Sequence, residues 1–213
     1  MPADYVLYGA PGTGSVAVEA ALTLIGARYR AEDIPETHLA GTAFTPMAQV
    51  PALRLADGRL MTESAAILIW LAEAHPDAKL APPPGDARRP DYLRWMAFVS
   101  AAIYALYWIR DDPSRVIDDP AGRAEVKARL AERIAACWAV MEAGIEPGRY
   151  LLGETLTVLD LYVTVVSRWT PRRRRRFYEV APRMAEVVRQ VDADPRLAEC
   201  WARRFPFTDG WEG

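Results

Sequence analysis

The sequence predicts an α/β unit followed by an all-helical unit. Two observations carry this. Up to about residue 79, strand-length apolar runs and helical spacings follow one another in the order βαβ, a connection, then ββα. From residue 88 onward every apolar repeat has helical spacing. Between them lies Pro82-Pro83-Pro84-Gly85, a stiff, extended linker. The expected organisation is therefore an α/β unit over residues 1–79, a linker over 80–87 and a helical unit over 88–213. Apolar residues make up 51% of the chain, enough to fill such cores, and the net charge of −2 argues against a general nucleic-acid binder.

Taken in order, Tyr5-Val6-Leu7-Tyr8 reads as a first strand and Gly9 to Ser15 as a Gly- and Pro-rich loop. Val18, Ala21, Leu22 and Ile25 mark one face of a helix from Ser15 to Gly26, with Gly26 as its C-cap. Tyr29 to Ile34 alternates as a second strand, completing a βαβ unit whose crossover is right-handed. His38 to Met47 is irregular. Ala52 to Leu55 and Leu60-Met61 form a strand pair turned at Asp57-Gly58, where Gly tolerates the positive φ of a tight hairpin. Thr62-Glu63-Ser64 then opens an apolar helix that ends near His75-Pro76. This order is thioredoxin-like.

In the second unit, Pro90 to Arg110 predicts a helix apolar on most sides, with Tyr92, Trp95, Phe98, Tyr104, Tyr107 and Trp108. Asp111 to Pro120 is a loop, and Ala121 to Gly144 an amphipathic helix burying Val126, Leu130, Ile134, Cys137, Trp138 and Met141. Thr157 caps the next helix, with Asp160 three residues on and Leu156 and Leu161 as a staple. Arg172–Arg176 reads as a solvated positive segment, with attraction of an anionic substrate as the sharper alternative. Arg183 to Val191 and Pro195 to Arg203 are short helices, the second capped by Asp194. Cys137 and Cys200 lie far apart in helical patterns and are expected to be buried, reduced thiols. Two histidines and no C-x-x-C motif leave no metal site to predict. Neither a membrane-spanning length nor a signal peptide is read, so the expected location is cytoplasmic.

Two features of Gln49–Ile67 point to a ligand. A cis Val50-Pro51 bond before a strand would turn the Val50 backbone groups outward, and Glu63-Ser64 stands at a helix start, where free N–H groups favour an anion. An anion site beside an acidic side chain suits an amino-acid head group. These residues and their spacing through a hairpin resemble the glutathione-binding half of cytosolic glutathione transferases, and the Thr157-x-x-Asp160 helix start resembles that family too. The resemblance extends over nearly the whole chain. It implies that Val50 pairs with the cysteinyl backbone of glutathione, that Ser64 holds the γ-glutamyl carboxylate, and that Glu63 flanks the ammonium. Gln49 and His38 are candidates for the glycyl carboxylate. Without the family, Pro51 is a strand-start proline, Glu63-Ser64 an ordinary helix start and His38 a loop residue.

Activation of the thiol has several candidates. Ala10-Pro11-Gly12-Thr13-Gly14-Ser15 is similar to the Ser-Pro-Gly-Ala-Cys-Ser loop of bacterial beta-class enzymes, with Gly14 in place of the cysteine. Ser15, then Thr13, then Tyr8 are the hydroxyls expected to lower the thiol pKa, from about 8.5 when free; a plain N-cap is the competing role for Ser15. Tyr104, Trp108 and Trp169 are expected to wall an apolar electrophile site, or else to pack in the core. The resemblance implies conjugation of glutathione, as co-substrate, to a small apolar electrophile by a homodimer, with no metal, membrane or nucleic-acid partner. Glutathione-dependent peroxidase or disulfide reductase chemistry, a ring-opening isomerase or dehalogenase, and a non-catalytic interaction module stay open.

Overall fold

A computed structural model describes residues 4–35, 47, 49–170 and 174–206. Strand β1 (Tyr5–Gly9) is followed by α1 (Ser15–Ile25) and β2 (Tyr29–Asp33), and β2 lies parallel to β1. Strands β3 (Ala52–Arg54) and β4 (Leu60–Thr62) add antiparallel pairs, so the sheet order is β2-β1-β3-β4. Gly58 makes the turn at φ 86°. Leu7 and Leu53 stand opposite one another in the register and are fully buried, which puts the core of this unit at the centre of the sheet. Helix α2 (Ser64–Ala74) closes the ββα half.

Helix α1 was expected to bury one face and instead is enclosed nearly all round. Val16, Ala17, Val18, Ala20, Ala21 and Leu22 are fully buried, because α1 is covered by β1 and α2 from its own unit and by helices of the second unit. Small residues permit that close approach on two sides. Glu19, on the same helix, is fully buried as well, its charge met by Arg204 and by Arg203.

The second unit starts with α3, a helix continuous over Arg89–Asp111. At 23 residues it is long and apolar enough to cross a membrane by length and composition, which corrects the expectation that no segment reaches that length. Here Tyr92, Trp95, Met96, Val99, Ile103 and Tyr107 sit in the protein core. Its middle, Val99–Tyr104, winds as a π-helix. Helix α4 (Pro120–Ala143) is capped by Asp119, whose carboxylate accepts the Ala121 and Gly122 N–H groups at 3.1 and 3.0 Å. Only its C-terminal half is deeply buried; Val126 and Leu130 are half-buried.

Helix α5 (Val158–Ser167) is buried along its whole length and is the axis of this unit. The Asp160 carboxylate accepts the Thr157 N–H (2.7 Å), the Thr157 hydroxyl (2.8 Å) and the Leu151 N–H (2.8 Å), so the predicted cap also ties down the preceding loop. Three further helices follow: α6 (Arg175–Val180), α7 (Pro182–Asp192) and α8 (Ala198–Arg204). Helix α8 starts three residues after the predicted Pro195. Asp194 is spent on a turn instead, accepting the Arg196 N–H at 3.0 Å.

The arginine run is not uniformly solvated. Arg174 is fully buried, donates to the Thr164 carbonyl at 2.7 Å and pairs with Asp192. Arg175 and Arg176 do reach solvent, against Glu179 and Glu132. Arg172 and Arg173 lie outside the described residues. Cys137 and Cys200 are free and buried, and burial pushes the Cys200 thiol up to about 12.

Candidate functional site

A cavity of about 360 Å³ opens between the two units. From the α/β side it is lined by Gln49, Val50 and Pro51, just before β3, and by Glu63 and Ser64 at the start of α2. From the helical side come Ser100, Tyr104 and Trp108 of α3 and Tyr162 of α5. The Val50-Pro51 bond is cis. Strand pairing begins only at Ala52, opposite Thr62, so Val50 stands in the cavity wall outside the ladder.

Glu63 adopts φ 66° and ψ 102°, a region that costs a bulky residue of order 1–3 kcal/mol. Its carbonyl still accepts the Ile67 N–H at 2.9 Å, the first bond of α2. The N–H groups of the first turn have no partner within the helix and carry the positive end of its dipole. Ser64 Oγ, buried beside them, is 3.0 Å from the Tyr162 hydroxyl. Ser100 also hydrogen-bonds Tyr162, whose pKa burial raises and these two hydroxyls partly pull back. One end of the cavity therefore offers helix N–H groups and a serine hydroxyl, with a carboxylate beside them.

The other end is built from α3 and the start of α1. The Tyr104 ring packs edge-on against Trp169 at 4.8 Å between centroids, and its hydroxyl lies against the backbone of Gly14, the residue before α1. Burial raises the Tyr104 pKa strongly, and the Gly14 N–H offsets part of that rise. The phenol is thus held protonated. At the outer rim, Trp108 is 42% exposed and Arg115 stacks on it, 4.6 Å from the ring centroid.

Of the residues named from sequence, Gln49, Val50, Pro51, Glu63, Ser64, Tyr104 and Trp108 meet in this cavity. The three hydroxyls expected to act on the thiol do not line this cavity. Ser15 Oγ accepts the Ala10 N–H and bonds the Ala10 carbonyl, both at 3.1 Å, and Thr13 Oγ1 donates to that same carbonyl at 2.7 Å. The two hydroxyls also bond each other at 2.8 Å. They knit the loop before α1, and neither lines the cavity. The Tyr8 hydroxyl accepts from Arg54 Nε and Nη2 at 3.1 and 2.6 Å, across the β1–β3 pair. Trp169 stands behind Tyr104, with its Nε1–H donating to the Gly12 carbonyl at 2.6 Å. His38 lies outside the described residues.

Tyr162 and Ser100 were not named from sequence. Their signal was faint: Tyr162 is one of two hydroxyls, with Thr164, within the mostly apolar run Val158–Val166, and Ser100 one small polar residue in an aromatic helix. Among the described residues no group of three or more His, Cys, Asp or Glu side chains is placed to hold a metal ion.

The comparisons with known proteins agree with this geometry. Residues 15–74 match the family model described as glutathione S-transferase, N-terminal domain. The chain is 30% identical over 203 residues to the uncharacterized GST-like protein YncG of Escherichia coli K12, covering 92% of this chain and 97% of the relative. It is 28% identical over 130 residues to glutathione S-transferase GstA of Escherichia coli O157:H7, covering 60% of each. Among solved structures, a glutathione transferase homolog from Sulfitobacter with bound glutathione superposes with a TM-score of 0.81 at 26% identity, over 93% of this chain and 97% of the other.

Proposed function

Since the chain belongs to the glutathione S-transferase family, we propose that it binds glutathione in the cavity between its units and transfers the glutathione thiolate to a small apolar electrophile. The observation that carries this reading is the meeting of Val50, Glu63 and Ser64 in one cavity wall. The γ-glutamyl carboxylate takes the N-terminus of α2 and the Ser64 hydroxyl, where dipole and donors both favour an anion. Glu63 faces the ammonium, the Val50 backbone pairs with the cysteinyl unit, and Gln49 reaches toward the glycyl end. The thiol is then directed toward the start of α1, and the electrophile enters along α3 past Trp108.

In the reaction the thiol first loses its proton to solvent. A sulfur lone pair attacks the electrophilic carbon, a C–S bond forms, and the leaving group departs with the electron pair of its broken bond. Most of the catalytic contribution is thiolate stabilisation and alignment. The test has two steps: binding of glutathione by calorimetry, then turnover of a chlorodinitrobenzene compared with that of a small disulfide. Micromolar-to-millimolar binding and release of chloride support the proposal. A folded protein that binds no glutathione refutes it, and turnover of the disulfide alone would assign reduction instead.

The family resemblance also leads us to propose a cytoplasmic homodimer. Leu60 on β4 and Leu93 on α3 are 38% and 40% exposed, apolar side chains that a second copy would cover. Light scattering of the purified protein reads this directly.

A further inference from the structure

We propose that the Tyr104 hydroxyl, delivered by α3 from the helical unit, is the donor that holds the glutathione thiolate, in place of any hydroxyl in the loop before α1. This rests on the glutathione reading above.

The geometry begins with Gly14. Its φ of −61° and ψ of −15° are open to any residue, so conformation does not demand glycine there. Space does. A Cβ on Gly14 would stand 2.6 Å from Tyr104 Oη and 2.9 Å from Cε2, well inside contact distance. The phenol therefore occupies the volume that a side chain from the loop would fill. Sequence similarity put Gly14 at the beta-class cysteine position, and the structure fills that place with a hydroxyl from 90 residues further along the chain.

The hydroxyls around the cavity are not equivalent. Ser15 and Thr13 are spent on the Ala10 backbone and on each other. Ser64, Tyr162 and Ser100 bond among themselves at the head-group end. Tyr104 Oη faces the Gly14 N–H, which meets its lone pair, and among the described residues its own proton meets no acceptor. That proton is available to a sulfur at the N-terminus of α1, where the helix dipole favours negative charge. A hydrogen bond to the charged form lowers a pKa. With its own pKa raised by burial, the phenol remains a donor throughout the neutral range. Its placement depends on α3: Tyr104 closes the π-helical segment Val99–Tyr104, and Trp169 packs edge-on against its ring.

The test is the thiol titration of bound glutathione, followed by its ultraviolet thiolate band across pH in wild type, Tyr104→Phe, Gly14→Ala and Tyr107→Phe. Tyr104→Phe is expected to raise the thiol pKa by about one to two units and to lower turnover roughly tenfold or more below that pKa, with glutathione affinity, measured below the wild-type thiol pKa, held within about twofold. Gly14→Ala, whose new methyl displaces the phenol, shifts the titration the same way. Tyr107→Phe removes a hydroxyl one turn along, bonded to Thr170 at 2.8 Å, and leaves the titration in place. A Tyr104→Phe titration within about 0.3 units of a glutathione-binding wild type overturns this proposal alone. A shift in Ser15→Ala without one in Tyr104→Phe overturns it in favour of the loop. Wild type that binds no glutathione overturns the parent reading, and this one with it.

Discussion

Replacing Ser64 by alanine isolates the head-group end of the site. Ser64 Oγ is buried at the first residue of α2, 3.0 Å from Tyr162 Oη, so the substitution removes one hydroxyl while the helix N–H groups remain. A hydrogen bond to a charged group contributes about 1.5–3 kcal/mol net. At 1.4 kcal/mol per factor of ten, the dissociation constant for glutathione should rise roughly 10- to 150-fold. Binding should weaken without vanishing, because the dipole and backbone donors persist. The same substitution takes a partner from the buried Tyr162 hydroxyl, so a stability loss of about 1 kcal/mol should accompany it. Calorimetry with glutathione reads the first effect and denaturant unfolding the second. Tyr162→Phe is the control: it keeps Ser64 Oγ available and should reproduce the stability loss with much less of the affinity loss. A folded Ser64→Ala protein binding glutathione within twofold of wild type would refute the assignment of the carboxylate to α2.

Three further outcomes follow from buried groups outside the site. Asp192→Asn leaves the Arg168 and Arg174 guanidiniums without their shared carboxylate while both side chains are fully buried, and should cost about 3–5 kcal/mol in chemical denaturation; a loss below about 1 kcal/mol would show that the two cations are not electrostatically held. Burial raises the Asp160 carboxyl to about 6, above its unfolded value of 3.8, so the folded state binds the extra proton between these values. Its contribution is fully present below about pH 4 and is lost as pH rises through about 6, on the order of 2–3 kcal/mol at most. Wild type should show this slope in unfolding free energy, and Asp160→Asn should lack it. With its thiol pushed up to about 12, Cys200 should resist alkylation at pH 8 until the chain unfolds, as peptide mapping by mass spectrometry would show.

Much of the site was legible because its head-group half is local. Val50-Pro51, the Asp57-Gly58 turn and Glu63-Ser64 lie within one ββα segment, and turn and helix-start chemistry act over a few residues. The same holds for the Thr157–Asp160 cap. Buried charge was much harder to read. Arg174 sits in a run of arginines that reads as solvated, and only the approach of Asp192 from α7 takes it inside. Glu19 is likewise buried in α1, where α8 brings Arg204 over it.

By itself, the sequence determined the order of elements, the hairpin that presents Val50 and Ser64, and the family to which those features belong. The tertiary structure alone decided which hydroxyl stands against Gly14 at the start of α1. Ser15, the hydroxyl expected first from the sequence, turns back onto the Ala10 backbone. Tyr104 arrives because the packing of the helical unit on the α/β unit brings α3 to the start of α1, and because Gly14 has no side chain to stop it. Contacts of that kind depend on the sum of many distant packing choices, which no short stretch of residues carries.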